Sequence, residues 1–209
     1  FELWQYDGVF FGLTVSISFV AWVVATLLFL TSFSKPIHSL GILVYPLSAI
    51  AVITAFLFPG TQGKLISMSI AAHAFLSIGA YALLTIAVAQ SVLVSIQERF
   101  LHEHNFNTFV DKLPALQTME AFLYQSLKMG LLLLTLSLIS GYYYIDDFFT
   151  QKLTFKTILS VIAWIGFAGI LFGHKVFGWR GKLVTVSTQT AFAILVLSYY
   201  GTKFFLEIA

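Results

Sequence analysis

His73 stands inside an apolar run, ISMSIAAHAFLSIGAYALL, with Ser77 and Tyr81 following it at four-residue steps. On a helix that spacing gathers all three on one face. An ionisable ring in such a run is costly in lipid and marks a functional candidate by default. A histidine hydrogen-bonded to a neighbouring helix satisfies the same pattern. His174 ends a second run, uncharged from Thr157 to Gly173, and lies in FGHKVFGWRGK, residues 172–182. Lys175, Arg180 and Lys182 follow it. A neutral imidazole offers a lone pair to a metal, and cations beside it would receive an anionic group at a membrane surface. The alternative is an imidazole cation at the negative end of a helix dipole, with basic residues placed by topology. Position alone does not separate the two.

The remaining candidates carry less. His102 and His104 are two residues apart, so on a helix they point to nearly opposite sides and do not chelate together. Asp146 and Asp147 could bind a divalent cation or cap a helix in water. Gln189, one turn after Thr185, reads as a hydrogen bond between helices. Ser160, Ala163, Gly166, Gly169 and Gly173 form a stripe of small residues. Its GxxxG end, 169–173, lets a second helix or a flat ligand come close. There is no phosphate-binding loop, no HExxH, no nucleophile elbow and no carboxylate pair within an apolar run. The chain therefore reads as a binding or handling protein and not as an enzyme. With no cysteine, disulfides, iron–sulfur clusters, cysteine-ligated zinc and thiol catalysis are all removed.

The elements that must position these residues follow from composition. Of 209 residues, 59% are hydrophobic and 10% charged, and the mean hydropathy is +0.92. A soluble domain carries about 25% charged residues, so this composition builds a surface for the lipid bilayer. A net charge of +2 is too small to point to nucleic acid. Charge-poor intervals run over 8–34, 36–63, 65–97, 129–145, 157–174 and 183–202. A helix crosses the hydrocarbon in about 20 residues, and backbone groups in lipid must bond internally. These intervals predict an all-α integral membrane protein, a bundle of about six transmembrane helices forming one domain over 1–209. The fourth interval is short. It extends back through 121–127 if Lys128 snorkels or faces the bundle interior.

Loop charges give an orientation. Lys35, Arg99, Lys112, Lys175, Arg180 and Lys182 fall on one side, against Lys64, Lys152, Lys156 and Lys203 on the other. The positive-inside rule puts the FGWRGK loop in the cytoplasm and both termini outside. The long connection, 98–120, reads as a cytoplasmic helix extension and an interfacial segment, with Pro114 near the next helix start. His73 then lies ~12 Å along the third span from its outer end, and His174 ~27 Å along the fifth from the same side. A depth difference of ~15 Å predicts separate sites, each with one histidine. Phe1 is not a start methionine, and FELWQYD lacks the basic region of a signal peptide, so further residues are expected before it.

With cysteine absent, two histidines in or beside the membrane favour a ligand that takes neutral imidazole, and haem is the membrane-compatible one. AAHAFLSIGAYALLTIAVAQ, LPALQTMEAFLYQSLKMGLLLLTLSLISGYYY and LSVIAWIGFAGILFGHKVFGWRGK, with SYYGTKFFLE after them, resemble the YpjD/HemX-like branch of the cytochrome c assembly (CcsA/CcmC) membrane protein family. The resemblance runs from about residue 40 onward. It implies an inner-membrane protein that binds or handles haem during cytochrome c-type biogenesis, with other maturation proteins as partners. His73 matches the histidine that binds externally presented haem, and His174 the one that holds haem within the membrane. The branch typically has about two more N-terminal helices. Two departures stand out. The tryptophan-rich haem cradle is replaced by YYYIDDFFTQKLTFK, and the final histidine of the LHSYG pattern has no counterpart before the chain ends at FFLEIA. They imply an accessory role in cytochrome c maturation or haem metabolism. The alternative is a haem-free accessory subunit of a cation transport or homeostasis system, an association the YpjD-type members carry.

Overall fold

The computed structural model describes residues 4–5, 8–11, 13–33, 38–57, 64–66, 68–103, 113–144 and 151–201. Six helices follow one another: α1 Leu13–Ser32, α2 His38–Leu57, α3 Met68–His102, α4 Leu116–Tyr144, α5 Gln151–Phe177 and α6 Lys182–Val196. A π-helical turn, Leu197–Gly201, continues α6. In the described residues α2 to α6 are long and apolar enough to cross a membrane, and α1 contributes a shorter apolar helix, Ser16–Ser32. The protein is an all-α membrane bundle.

The sequence pattern did not announce a small antiparallel sheet. Strands β1 Trp4–Gln5, β2 Gly8–Phe11 and β3 Lys64–Ile66 pair in that order, with Val9 opposite Ile66. They lie just before α1 and α3, where backbone outside a helix still needs hydrogen-bond partners. Strands this short show no polar alternation to read.

α3 is the hub. At 35 residues it is ~52 Å long, more than the hydrocarbon thickness of ~30 Å, so its end projects beyond the bilayer core. Alanines at 71, 80, 82, 87 and 89 are buried along it and let neighbouring helices approach closely. One cluster packs Leu84 and Ala87 against Leu127 of α4, Phe167 of α5 and Leu195 of α6. A second packs Ile86 and Leu93 against Leu28 of α1, Val44 of α2 and Phe122 of α4.

α3 and α4 run antiparallel. Gln97 donates to the carbonyl of Pro114 at 3.1 Å, Gln90 to that of Met119 at 3.1 Å, and His73 to that of Ser137 at 2.9 Å. α6 is antiparallel to α3 as well, since Tyr81 donates to the Leu195 carbonyl and Gln189 to Ser91. Pro114 precedes the start of α4 by two residues, where a missing N–H costs nothing. α4 runs through the short fourth interval as one helix, and Lys128 is exposed on it; the cation faces outward and not into the bundle.

Candidate functional site

His73 sits little more than one turn into α3 and meets the end of α4. Its Nδ1 lies 2.9 Å from the Ser137 carbonyl and 3.0 Å from Ser140 Oγ. A carbonyl only accepts, so Nδ1 carries the proton and Nε2 keeps the lone pair. Ser77 Oγ is 3.5 Å from Nε2, but its proton is directed at the His73 carbonyl, 2.8 Å away. Ser137 Oγ completes the group, 2.7 Å from Ser77 Oγ. The ring fits against Gly141, where a Cβ would stand 3.0 Å from Cε1. Glycine makes the notch.

Tyr81 does not join this group. Each four-residue step rotates ~40° around a helix, so the second step brings Tyr81 ~80° from His73. Its hydroxyl donates to the Leu195 carbonyl on α6 at 2.9 Å, and its ring lies 6.0 Å from that of Tyr199. Thus the structure brings His73 and Ser77 together and uses Tyr81 to tie α3 to α6. Ser137, Ser140 and Gly141 escaped the sequence reading. Their spacing of three and four in LSLISG was the available signal, since it sets two hydroxyls and a notch on one face.

At the other end of the bundle the chain turns sharply after α5. Gly178 has φ 67°, a left-handed conformation that glycine adopts without steric cost. The turn carries Trp179 back over the helix end, where its N–H reaches the Gly173 carbonyl at 3.3 Å. The indole covers Gly173 so closely that a Cβ there would collide with it. The carbonyl of Trp179 then takes two donors: His174 Nδ1 at 2.9 Å and the Tyr124 hydroxyl at 2.7 Å. Tyr124 of α4 is buried and stacks on the His174 ring, with centroids 3.5 Å apart and planes 19° apart. Here too the Nδ1 proton is committed and Nε2 holds the lone pair. Lys175, Arg180 and Lys182 are all exposed around this corner. Tyr124 had no signal in the sequence beyond being a tyrosine in an apolar helix.

The small-residue stripe divides into three uses. Ser160 bonds Ser198 at 2.7 Å, and a Cβ at Gly166 would stand 3.2 Å from that of Ala191, so the first part seats α6. Gly169 faces open space. Gly173 receives the chain's own tryptophan, not a second helix or a ligand, because the glycine at 178 turns the indole onto it. Gln189 does bond between helices, to Ser91 at 3.3 Å. His102 ends α3 and is exposed, while His104, Asp146 and Asp147 lie outside the described residues. Among the described residues no three His, Cys, Asp or Glu side chains could hold a metal ion together.

Helices packed around small residues, with two imidazoles held at opposite ends of one bundle, define a multi-pass membrane protein. The chain belongs to the cytochrome c assembly protein family, whose model matches residues 11–209. It is similar to the inner membrane protein YpjD of Escherichia coli K12, 30% identical over 131 residues, or 63% of this chain and 49% of that one. It is also similar to a 28.8 kDa protein from a nifR3-like 5' region of Azospirillum brasilense, 28% identical over 152 residues, 72% of this chain and 56% of that one. The chain spans about half the length of these curated relatives. No solved structure matches. Apolar helices and relatives together make this a multi-pass protein of the inner, or plasma, membrane.

Proposed function

We propose that this protein binds and handles haem in the membrane, as an accessory to cytochrome c maturation or haem metabolism. Membership of the cytochrome c assembly family supports the setting. One observation carries the reading: each histidine commits its Nδ1 proton to a backbone carbonyl and leaves its Nε2 lone pair. That donor chemistry fits haem, whose iron takes a neutral imidazole nitrogen, and a carbonyl on the far ring nitrogen is the usual support for a metal-binding histidine. When bound, haem supplies an iron for the imidazole and two propionates that seek cations.

In this reading His73 holds the ligand at the outer corner, with Ser77 in its hydroxyl network. His174 holds it at the inner corner, where Lys175, Arg180 and Lys182 would receive the propionates. Tyr81 acts at one remove, by fastening α6 to α3. The protein's work is binding and orientation.

The test is an optical spectrum of the full-length protein purified from haem-replete cells, alone and as His73→Ala and His174→Ala. Haem in the wild type, reduced by either substitution, is the expected result. A wild type that holds no haem would replace this reading with that of a haem-free accessory subunit in cation homeostasis.

A further inference from the structure

We infer that Tyr124 is the positioning residue of His174, and that the Trp179 carbonyl holds the ring in the tautomer whose Nε2 carries the lone pair. The inference rests on reading His174 as a haem ligand, but the tautomer can be measured with no haem bound.

Three contacts carry it. The carbonyl oxygen has two lone pairs and accepts both the Tyr124 hydroxyl, at 2.7 Å, and His174 Nδ1, at 2.9 Å. Were the proton on Nε2 instead, two lone pairs would face each other across that 2.9 Å gap. The hydrogen bond alone leaves the ring free to swing about the Nδ1–oxygen line. The Tyr124 face, 3.5 Å away and 19° from parallel, removes that freedom.

The carbonyl is itself fixed. Gly178 turns the chain, the Trp179 N–H returns to Gly173, and the indole covers Gly173. Phenol, carbonyl and imidazole therefore form one rigid unit drawn from α4, the 178–181 turn and α5. A histidine in the last turn of a helix would otherwise sample both tautomers, and only one offers Nε2 to a ligand.

The experiment uses full-length protein labelled with 15N-histidine in lipid nanodiscs, haem-free, at about pH 8, above the ordinary histidine range. Signals of His174 are assigned from their loss in His174→Gln. The wild type is expected to show a protonated Nδ1 and an unprotonated Nε2. Tyr124→Phe keeps the ring face and leaves the carbonyl to His174, so it should retain both the tautomer and haem uptake. Tyr124→Leu should mix the tautomers and weaken haem binding at this corner on the order of 10–100-fold, the usual effect of losing such support. Gly173→Ala, which evicts the indole, should mix them by an independent route and stands in if Tyr124→Leu does not fold. A wild-type ring protonated on Nε2, or an unchanged tautomer in both disruptive variants, overturns the inference. The expected tautomers in a protein that takes up no haem would uphold the positioning and remove the haem reading alone.

Discussion

His73 and His174 lean on the same helix, thirteen residues apart: His73 donates to the carbonyl of Ser137, and His174 stacks on Tyr124. α4 thus acts as a ruler, and at 1.5 Å per residue the two contacts are ~20 Å apart. No single iron bridges that span.

Two independent corners give the first prediction. His73→Ala and His174→Ala should each remove part of the bound haem, and the double variant should remove the sum. Conversion of one six-coordinate, two-histidine spectrum to a five-coordinate one by either single change would show a shared iron.

Gly141 gives the second. Gly141→Leu should push the His73 ring from its notch, abolish haem at the outer corner and cost about 1–3 kcal/mol through overpacking. Gly130→Ala is the control, since its Cβ would meet Leu84 at 2.8 Å, away from either histidine. It should destabilise the bundle while leaving the outer-corner spectrum in place. Equal spectral loss in both variants would assign the effect to packing.

A third prediction concerns buried oxygens. Among the described residues Thr188 Oγ1 and Gln90 Oε1 have no hydrogen-bond partner, whereas Gln90 Nε2 bonds the Met119 carbonyl. Removing an orphan hydroxyl removes a desolvation penalty. Thr188→Val should therefore be neutral or stabilising by up to about 1 kcal/mol, and Gln90→Leu destabilising by about 1 kcal/mol. Thermal unfolding in nanodiscs compares them. A Thr188→Val loss as large as that of Gln90→Leu would mean that the hydroxyl has a partner, such as an internal water.

The orientation is testable because the chain has no native cysteine. Arg180→Cys should react with a membrane-impermeant thiol reagent only after the inner membrane is opened. Position 181 would be a poor choice, since Gly181 has φ 62° and lies against the Glu98 carboxylate. Labelling of Arg180→Cys with the membrane intact would invert the topology.

Much of the helical layout was legible in the gaps between charges, because one charged side chain in lipid costs more than any helix propensity supplies. The continuation of α4 past Lys128 was open to the same reasoning, but the direction Lys128 faces was not; that depends on which side α3 packs. The site was half legible. Histidines announce themselves in apolar runs, and Ser77 follows from periodicity. Ser137, Ser140 and Gly141 belong with His73 only through the antiparallel register of two helices, and Tyr124 with His174 only through a glycine turn. Neither relation has a local sequence period. GxxxG at 169–173 misled for a related reason: a notch in a sequence does not say whose side chain fills it.

The α3–α4 register also orders events during synthesis. Its polar rungs join residues 17, 29 and 64 positions apart, from Gln97–Pro114 through Gln90–Met119 to His73–Ser137. Loop closure grows costlier with separation, by about 1 kcal/mol between the first and last of these, so the hairpin zips from its connection outward. By loop length Gln97 finds its partner first. His73 must wait for a segment made 64 residues later, and until Ser137 and Gly141 arrive its ring has lipid or the membrane surface for company. Of these three contacts the His73 one is thus the last to form, once Ser137 and Gly141 are in place.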